Sequence, residues 1–407
     1  VARRTGRPVS RRRTSRSPLA ASAGALLPAG LFVGSLGLAL ALSAGSVATA
    51  FARGIVTPVR RRHESIRVLG VNTAGDRITL RPHPDALLPG NYSFWFAQGG
   101  GHTRVGEITG RSETTVTREL IATDFGDIRS ARTGRFAGWF YLGPRELGFP
   151  YDNVTVATPV GRAPAWLIPA ERSTDRWVIH VHGRATRRPE ALRGVPVFRE
   201  AGFTSLLISY RNDEEAPPSG DGRYALGDTE WADIDAAIDF AVAGGAKSVV
   251  LMGWSMGGAV ALQAALRSTH GSVIRAVALD SPVVDWVDTL NYQGDARRLP
   301  RPVKRGAIGI LGSRWSRLLT GLSVPVDFAR LNVLERAQEL RVPILLLHSD
   351  DDGFVPSSGS RELAAARPDL VTFVPFETAR HTKLWNYDRD RWNGAIAEWL
   401  HSLGLTS

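Results

Sequence analysis

The order of apolar and polar positions divides the chain into stretches of different character. From Trp177 onward, short apolar runs alternate with helix-like segments. Trp177–His182, Thr204–Tyr210, Ser248–Gly253, Ile274–Leu279, Val342–His348 and Val371–Phe376 read as strands. Arg188–Ala201, Asp228–Ala243, Gly257–Ser268, Ser358–Arg367 and Asp388–Leu403 read as helices. Apolar strands separated by helices predict a mostly parallel sheet with helices on both faces. Residues 63–150 lack that alternation. Ser65–Val71 and Asp76–Arg81 broadly alternate in polarity around Asn–Thr–Ala–Gly and predict a hairpin. Tyr92–Ala97, Thr103–Ile108, Thr114–Leu120 and Phe136–Leu142 are further strand candidates, so this stretch reads as a small β-rich domain or cap. Its aromatics Tyr92, Phe94, Trp95 and Phe96 read as core or interface. Val154–Val160 and Ala163–Pro169, joined by Gly–Arg, predict a hairpin that opens the α/β part, residues 151–407.

The N-terminus has a third pattern. Seven arginines lie within residues 1–17, before an uncharged run from Pro18 to Ala52. About 20 apolar residues cross a bilayer core, and this run is longer. The expectation is a basic cytoplasmic tail at 1–17 and a transmembrane signal anchor at 18–52, with the folded part that follows extracytoplasmic. A cleaved signal peptide is the alternative, because Ala48–Thr49–Ala50 fits a small-residue cleavage site.

Composition changes this picture in one respect. The net charge of +11 resembles a nucleic-acid footprint, but 11 of the 50 basic residues fall in the first 62 positions, which hold no acid. The rest of the chain balances 39 basic against 39 acidic side chains, which argues against a nucleic-acid partner for the folded part. Cysteine is absent, which excludes a disulfide scaffold, a thiol nucleophile and thiolate metal sites.

The chemistry gathers at predicted strand ends, where reactive groups collect in parallel sheets. Ser248–Gly253 runs into Gly253–Trp254–Ser255–Met256–Gly257, a match to G-x-S-x-G, and then into a helix. A serine at the tip of a strand-to-helix turn needs small neighbours two residues away, and Gly253 and Gly257 supply them. His182–Gly183–Arg184 follows the first strand and predicts a tight loop beside Ser255. The N–H groups of Arg184 and Met256 are the expected oxyanion donors. His182 itself reads as a structural histidine, and neither it nor His180 is nominated as the base. Asp350–Asp351–Asp352 follows Val342–His348, and His381 follows Val371–Phe376. A serine hydroxyl needs a base, and the base needs a carboxylate to orient it, so one of the three aspartates can serve His381. A metal reading of the aspartates lacks a second ligand cluster, and no cofactor is implied.

On these residues the chain resembles the α/β-hydrolase superfamily, and within it the branch of prolyl-oligopeptidase-like enzymes, serine aminopeptidases and lysophospholipase-like esterases. The matching pieces lie between Val154 and Leu403: H-V-H-G-R, Y-R-N, G-W-S-M-G-G, L-D-S-P, P-I-L-L-L-H-S-D-D-D-G-F-V-P and R-H-T-K-L-W. The resemblance implies a Ser255–Asp352–His381 triad that acts through an acyl-serine. Ser349 stands where the family commonly has Gly. Asp350 is the next candidate for the acid and Asp280 the third. The implied substrate is a small-molecule carboxylic ester, with a short peptide as the alternative; acyl transfer and a non-catalytic binding role on the same fold are further readings. The family places its substrate cap between the fourth and fifth strands read above, here residues 285–335. Apolar side chains and Arg297, Arg298, Arg301, Lys304, Arg305, Arg314 and Arg317 are interspersed there. These charges read as a solvated face.

Overall fold

The computed structural model describes residues 1, 6, 43–59, 61–172 and 174–406. It divides into two units, residues 1–47 and 48–407, of which the second carries both sheets and the candidate site.

The β-rich stretch closes into a six-stranded antiparallel barrel. Its strands are β1 (Ile66–Val71), β2 (Arg77–Leu80), β3 (Tyr92–Phe96), β4 (Gly101–Arg111), β5 (Val116–Phe125) and β6 (Thr133–Ala137), in the order β1-β2-β5-β4-β3-β6. β1 pairs with β6 to complete the circle. Closure leaves no free sheet edge. Alternate positions turn inward, so Ile66, Val68, Ile78, Leu80, Tyr92, Phe94, Phe96, Val105 and Leu120 share one core. Buried Arg118 donates to the carbonyls of Gly106, Leu88 and Gly90.

The last strand of this region ends earlier than the apolar run Phe136–Leu142 predicts. Phe136 belongs to the barrel core, whereas Phe140 packs against Trp385 in the core of the second sheet. One apolar run therefore serves two cores, with Gly138 at the crossing. A side chain at Gly138 would meet the Thr382 carbonyl at 2.3 Å, so only glycine fits. Asn91 and Asn386 exchange two hydrogen bonds nearby, which ties the barrel to the α/β part.

The second sheet has eight strands: β7 (Asp152–Thr158), β8 (Gly161–Ile168), β9 (Arg176–Val181), β10 (Thr204–Ile208), β11 (Ser248–Trp254), β12 (Ile274–Asp280), β13 (Ile344–Ser349) and β14 (Val371–Phe376). Their order is β7-β8-β10-β9-β11-β12-β13-β14. From β10 to β14 every pairing is parallel, while β7 and β8 join antiparallel. The strand order reverses between β9 and β11, so their carboxyl ends form the crevice where ligands enter such sheets.

The connection between β12 and β13 forms four helices, Trp286–Ala296, Arg301–Leu311, Ser316–Thr320 and Phe328–Leu331. Arg297, Arg298, Arg301, Arg305, Arg314 and Arg317 are exposed, as a solvated face requires, but Lys304 is buried against Asp295.

Most of the expected span Pro18–Ala52 lies outside the described residues. Its end is helical, from 43 to 56, and Ala48, Ala52, Ile55 and Val56 are buried in the folded body. The Ala48–Thr49–Ala50 stretch lies in this helix. Among the described residues no helix is long and apolar enough to cross a membrane.

Candidate active site

Ser255 sits at the turn between β11 and the helix Met256–Arg267, with φ 53° and ψ −120°. A non-glycine residue in that region is strained and persists only where its surroundings hold it. Two contacts show what holds it. A side chain at Gly253 would meet the Gly257 carbonyl at 2.5 Å, and one at Gly257 would meet the Val181 carbonyl at 2.2 Å. The glycines let β11, the helix and β9 approach closely, and the turn is forced.

His381, on the loop after β14, reaches Ser255 and Asp352 together. Its Nε2 lies 2.9 Å from Ser255 Oγ and its Nδ1 lies 2.7 Å from Asp352 Oδ2. The other carboxylate oxygen of Asp352 accepts from the N–H groups of Phe354 and Val355. Burial by itself would push the Asp352 carboxyl up. The charge of His381 and hydrogen bonds from His348 and His381 outweigh it, and the carboxyl is held well below the usual range. Asp352 therefore stays ionised and fixes the imidazole with Nε2 toward the serine.

The other two candidate acids are engaged elsewhere. Exposed Asp350 pairs with Arg361 and accepts from Ser357. Asp280, at the end of β12, is wholly buried, and Trp392 Nε1 and Ser281 Oγ donate to it. Burial pushes its carboxyl up. Its role is local support, since the Ser281 hydroxyl accepts from the Thr382 N–H beside His381.

Ser349 has a structural use. Its hydroxyl accepts from the Ala379 N–H and donates to Asp351, which accepts from the Arg380 N–H. Ser349 and Asp351 thus stitch the acid loop to the histidine loop. The insertion adds a brace, because Tyr292 and Gln293 donate to the carbonyls of Asp352 and Phe354. Sequence reasoning missed these partners.

His182 shapes its loop, as expected: its Nε2 lies 3.0 Å from Asp213, and its ring stacks on Tyr210 at 4.3 Å. Buried His180 faces Ser205, and burial pushes its imidazole down to about 3. The Gly183 N–H donates to Glu190, whereas those of Arg184 and Met256 have no hydrogen-bond partner among the described residues. Both of these residues adjoin Ser255, Arg184 as part of the cavity wall and Met256 as its chain neighbour.

Ser255 and His381 open into a cavity of about 340 Å³. One side is built from Gly183, Arg184, Phe354 and the 380–383 loop. The other comes from the barrel side: Arg62, Asp85 and the stretch 135–139. This corrects the expectation of a cap at 285–335, since no residue of that insertion lines the cavity. The barrel is attached through the Asn91–Asn386 and Gly138–Thr382 contacts beside His381, and it occupies the covering position. Among the described residues no cluster of histidines and carboxylates has a metal-binding arrangement.

Residues 178–395, more than half of the chain, match the alpha/beta hydrolase family, and the chain belongs to that family. It is a hydrolase of this fold. Residues 67–137, the barrel, match a domain of unknown function. No curated protein matches the chain. Among solved structures, an esterase of Pyrococcus furiosus is similar over 64% of this chain and 94% of its own, at 18% identity and a TM-score of 0.50. An esterase from a Rhodococcus species is similar over 62% of this chain and 99% of its own, at 17% identity and a TM-score of 0.44. At 18% identity the likeness to the Pyrococcus esterase speaks to the fold alone.

Proposed function

We propose that the protein is a serine hydrolase that cleaves carboxylic esters through an acyl-serine. The observation that carries this reading is the continuous relay Ser255–His381–Asp352 at a cavity wall, on a backbone turn strained to present the serine. His381 takes the proton of Ser255 as its oxygen attacks the ester carbonyl. The N–H groups of Arg184 and Met256 receive the charge that develops on the carbonyl oxygen. His381 then returns the proton to the leaving alcohol, and water repeats the sequence to release the acid. Asp352 holds the imidazole tautomer throughout.

The test is turnover of p-nitrophenyl esters of graded acyl length, beside aminoacyl amides, with fluorophosphonate labelling of the protein. Ester turnover with Ser255-dependent labelling is expected. Amide cleavage that exceeds ester cleavage would favour the peptidase reading. Absence of both turnover and labelling would sink the proposal. For localisation we propose a membrane-anchored enzyme with its catalytic part outside, supported by the seven arginines before the uncharged run. Recovery of the full-length protein in the soluble cytoplasmic fraction would count against it.

A further inference from the structure

The cavity at Ser255 has an excess of positive charge, and most of its charged groups already have partners. Asp85 receives Lys383 at 3.1 Å and Arg380 at 3.6 Å. Glu190 accepts from the Gly183 N–H and the Thr186 hydroxyl. Arg184 donates to the Gly54 carbonyl and lies over the Tyr224 ring.

Arg62 and Arg135 differ. Neither guanidinium has a carboxylate within ion-pair distance or donates a hydrogen bond among the described residues. Arg135 lies 5.5 Å from the centre of the Trp95 ring. Glu64, Glu190 and Glu214 attract the two arginines only from beyond ion-pair distance: Glu64 accepts from the Gln98 N–H and the Thr133 hydroxyl, Glu214 pairs with Arg187, and Glu190 is held as above. Two half-buried like charges beside each other are unfavourable, and an anion between them relieves both. Burial and the neighbouring charge of Arg62 push the Arg135 guanidinium down to about 9.

Their position gives this pair a use. Arg62, Arg135, Trp139 and Thr186 line the Ser255 cavity and also a second one of about 810 Å³. The second cavity runs between the barrel aromatics Trp95 and Phe125 and the hydrolase loops around Glu214 and Tyr224. A molecule with its ester carbonyl at Ser255 can pass one arm across the two arginines into this space. We infer that the enzyme prefers esters that carry a carboxylate or phosphate on one arm, held by Arg62 and Arg135 where the two cavities meet. This rests on the serine-hydrolase reading above.

The experiment compares charged esters with neutral isosteres. p-Nitrophenyl hydrogen succinate puts the anion on the acyl arm, and 4-acetoxybenzoate puts it on the leaving group. 4-Acetoxyphenyl phosphate tests phosphate in place of carboxylate. Their methyl-capped forms are the neutral references. At least one charged ester should exceed its reference in kcat/KM by about 10- to 100-fold, the scale of charge-assisted hydrogen bonds, mainly through KM. Arg62→Gln and Arg135→Gln should each reduce that ratio about tenfold, and Arg67→Gln, exposed on the barrel, should leave it intact. Equal use of charged and neutral esters by the wild type, or a preference that survives both variants, overturns the inference while leaving the serine-hydrolase reading standing. If no ester is turned over and Ser255 takes no fluorophosphonate, that reading fails, and calorimetric titration of Ser255→Ala with phenyl phosphate and benzoate decides the anion site alone. Saturable binding lost in both arginine variants supports it, and no binding overturns it.

Discussion

Ser93, His102 and Asp124 of the barrel repeat the connectivity of Ser255, His381 and Asp352. His102 Nε2 lies 2.8 Å from Ser93 Oγ, and its Nδ1 lies 2.8 Å from Asp124 Oδ2. By hydrogen-bond order the two relays are the same. Their settings differ in each respect that acyl chemistry requires. Ser93 lies within β3, between β4 and β6, where its backbone belongs to the ladder. Ser255, also largely buried, stands on a strained turn at the wall of a cavity. Ser93 and His102 are wholly buried and line neither large cavity, whereas Ser255 and His381 face one. The ring of His102 is packed between Trp95 and Phe125. The barrel relay runs from buried Ser93 and His102 out to Asp124 at the surface, where Arg104 pairs with it, and such satisfied polar networks fix a fold without any chemistry. On the proposed reading, the elbow, the free N–H donors and the cavity are what set Ser255 apart as a nucleophile from Ser93 as a structural serine.

Four measurements can break or sharpen this contrast. The largest effect belongs to the serines. Ser255→Ala should lower kcat/KM by about 10⁴- to 10⁶-fold on any ester that is turned over, as loss of a triad nucleophile does. Ser93→Ala should change it by less than about threefold, and a comparable loss there would erase the distinction. The acids come next. Asp352→Asn should cost about 10⁴-fold, because the amide cannot hold the required tautomer. Asp350→Asn should be nearly silent, and a severe loss there would move the acid assignment.

The third effect concerns stability. Ser93→Ala leaves buried His102 Nε2 without its partner, which should lower unfolding free energy by about 1–3 kcal/mol in urea titrations. An unchanged midpoint would mean that the barrel relay contributes nothing. The smallest effect is a pH slope. Burial pushes the His102 imidazole down to about 4, against a reference near 6.5 in the unfolded chain. Between these values the unfolded chain binds the proton and the folded one does not. Stability is therefore fully present above about 6.5 and falls as pH drops toward 4, by at most about 1.4 kcal/mol per pH unit for this group. His180 acts in the same direction, so the informative quantity is the difference between wild type and His102→Gln. Equal slopes for the two proteins would remove His102 from the account.

Much of the hydrolase half is legible because its signals are local. The apolar run Val249–Met252, the flanking glycines and the helix behind them specify the elbow within about a dozen residues. Val371–Phe376 is a strand with the ends its pattern implies. The run Phe136–Leu142 misleads for a physical reason: apolarity reports burial without saying in which core, and Phe136 and Phe140 are buried in different ones. The run of three aspartates is ambiguous in a similar way. Neighbours in sequence, they point to different partners, Asp350 to Arg361, Asp351 to Ser349 and Arg380, and Asp352 to His381.

By itself the sequence determined the parallel α/β architecture, the forced turn at Ser255 and the presence of an acid and a histidine after later strands. These follow from steric limits and periodicities that act over a few residues. Only the tertiary structure decided that the barrel walls the candidate site, that the 285–335 insertion braces the acid loop instead, and that Arg62 and Arg135 line one cavity with Ser255. Those outcomes depend on contacts between segments 60 or more residues apart, and the packing that brings them together leaves no periodic trace in the chain.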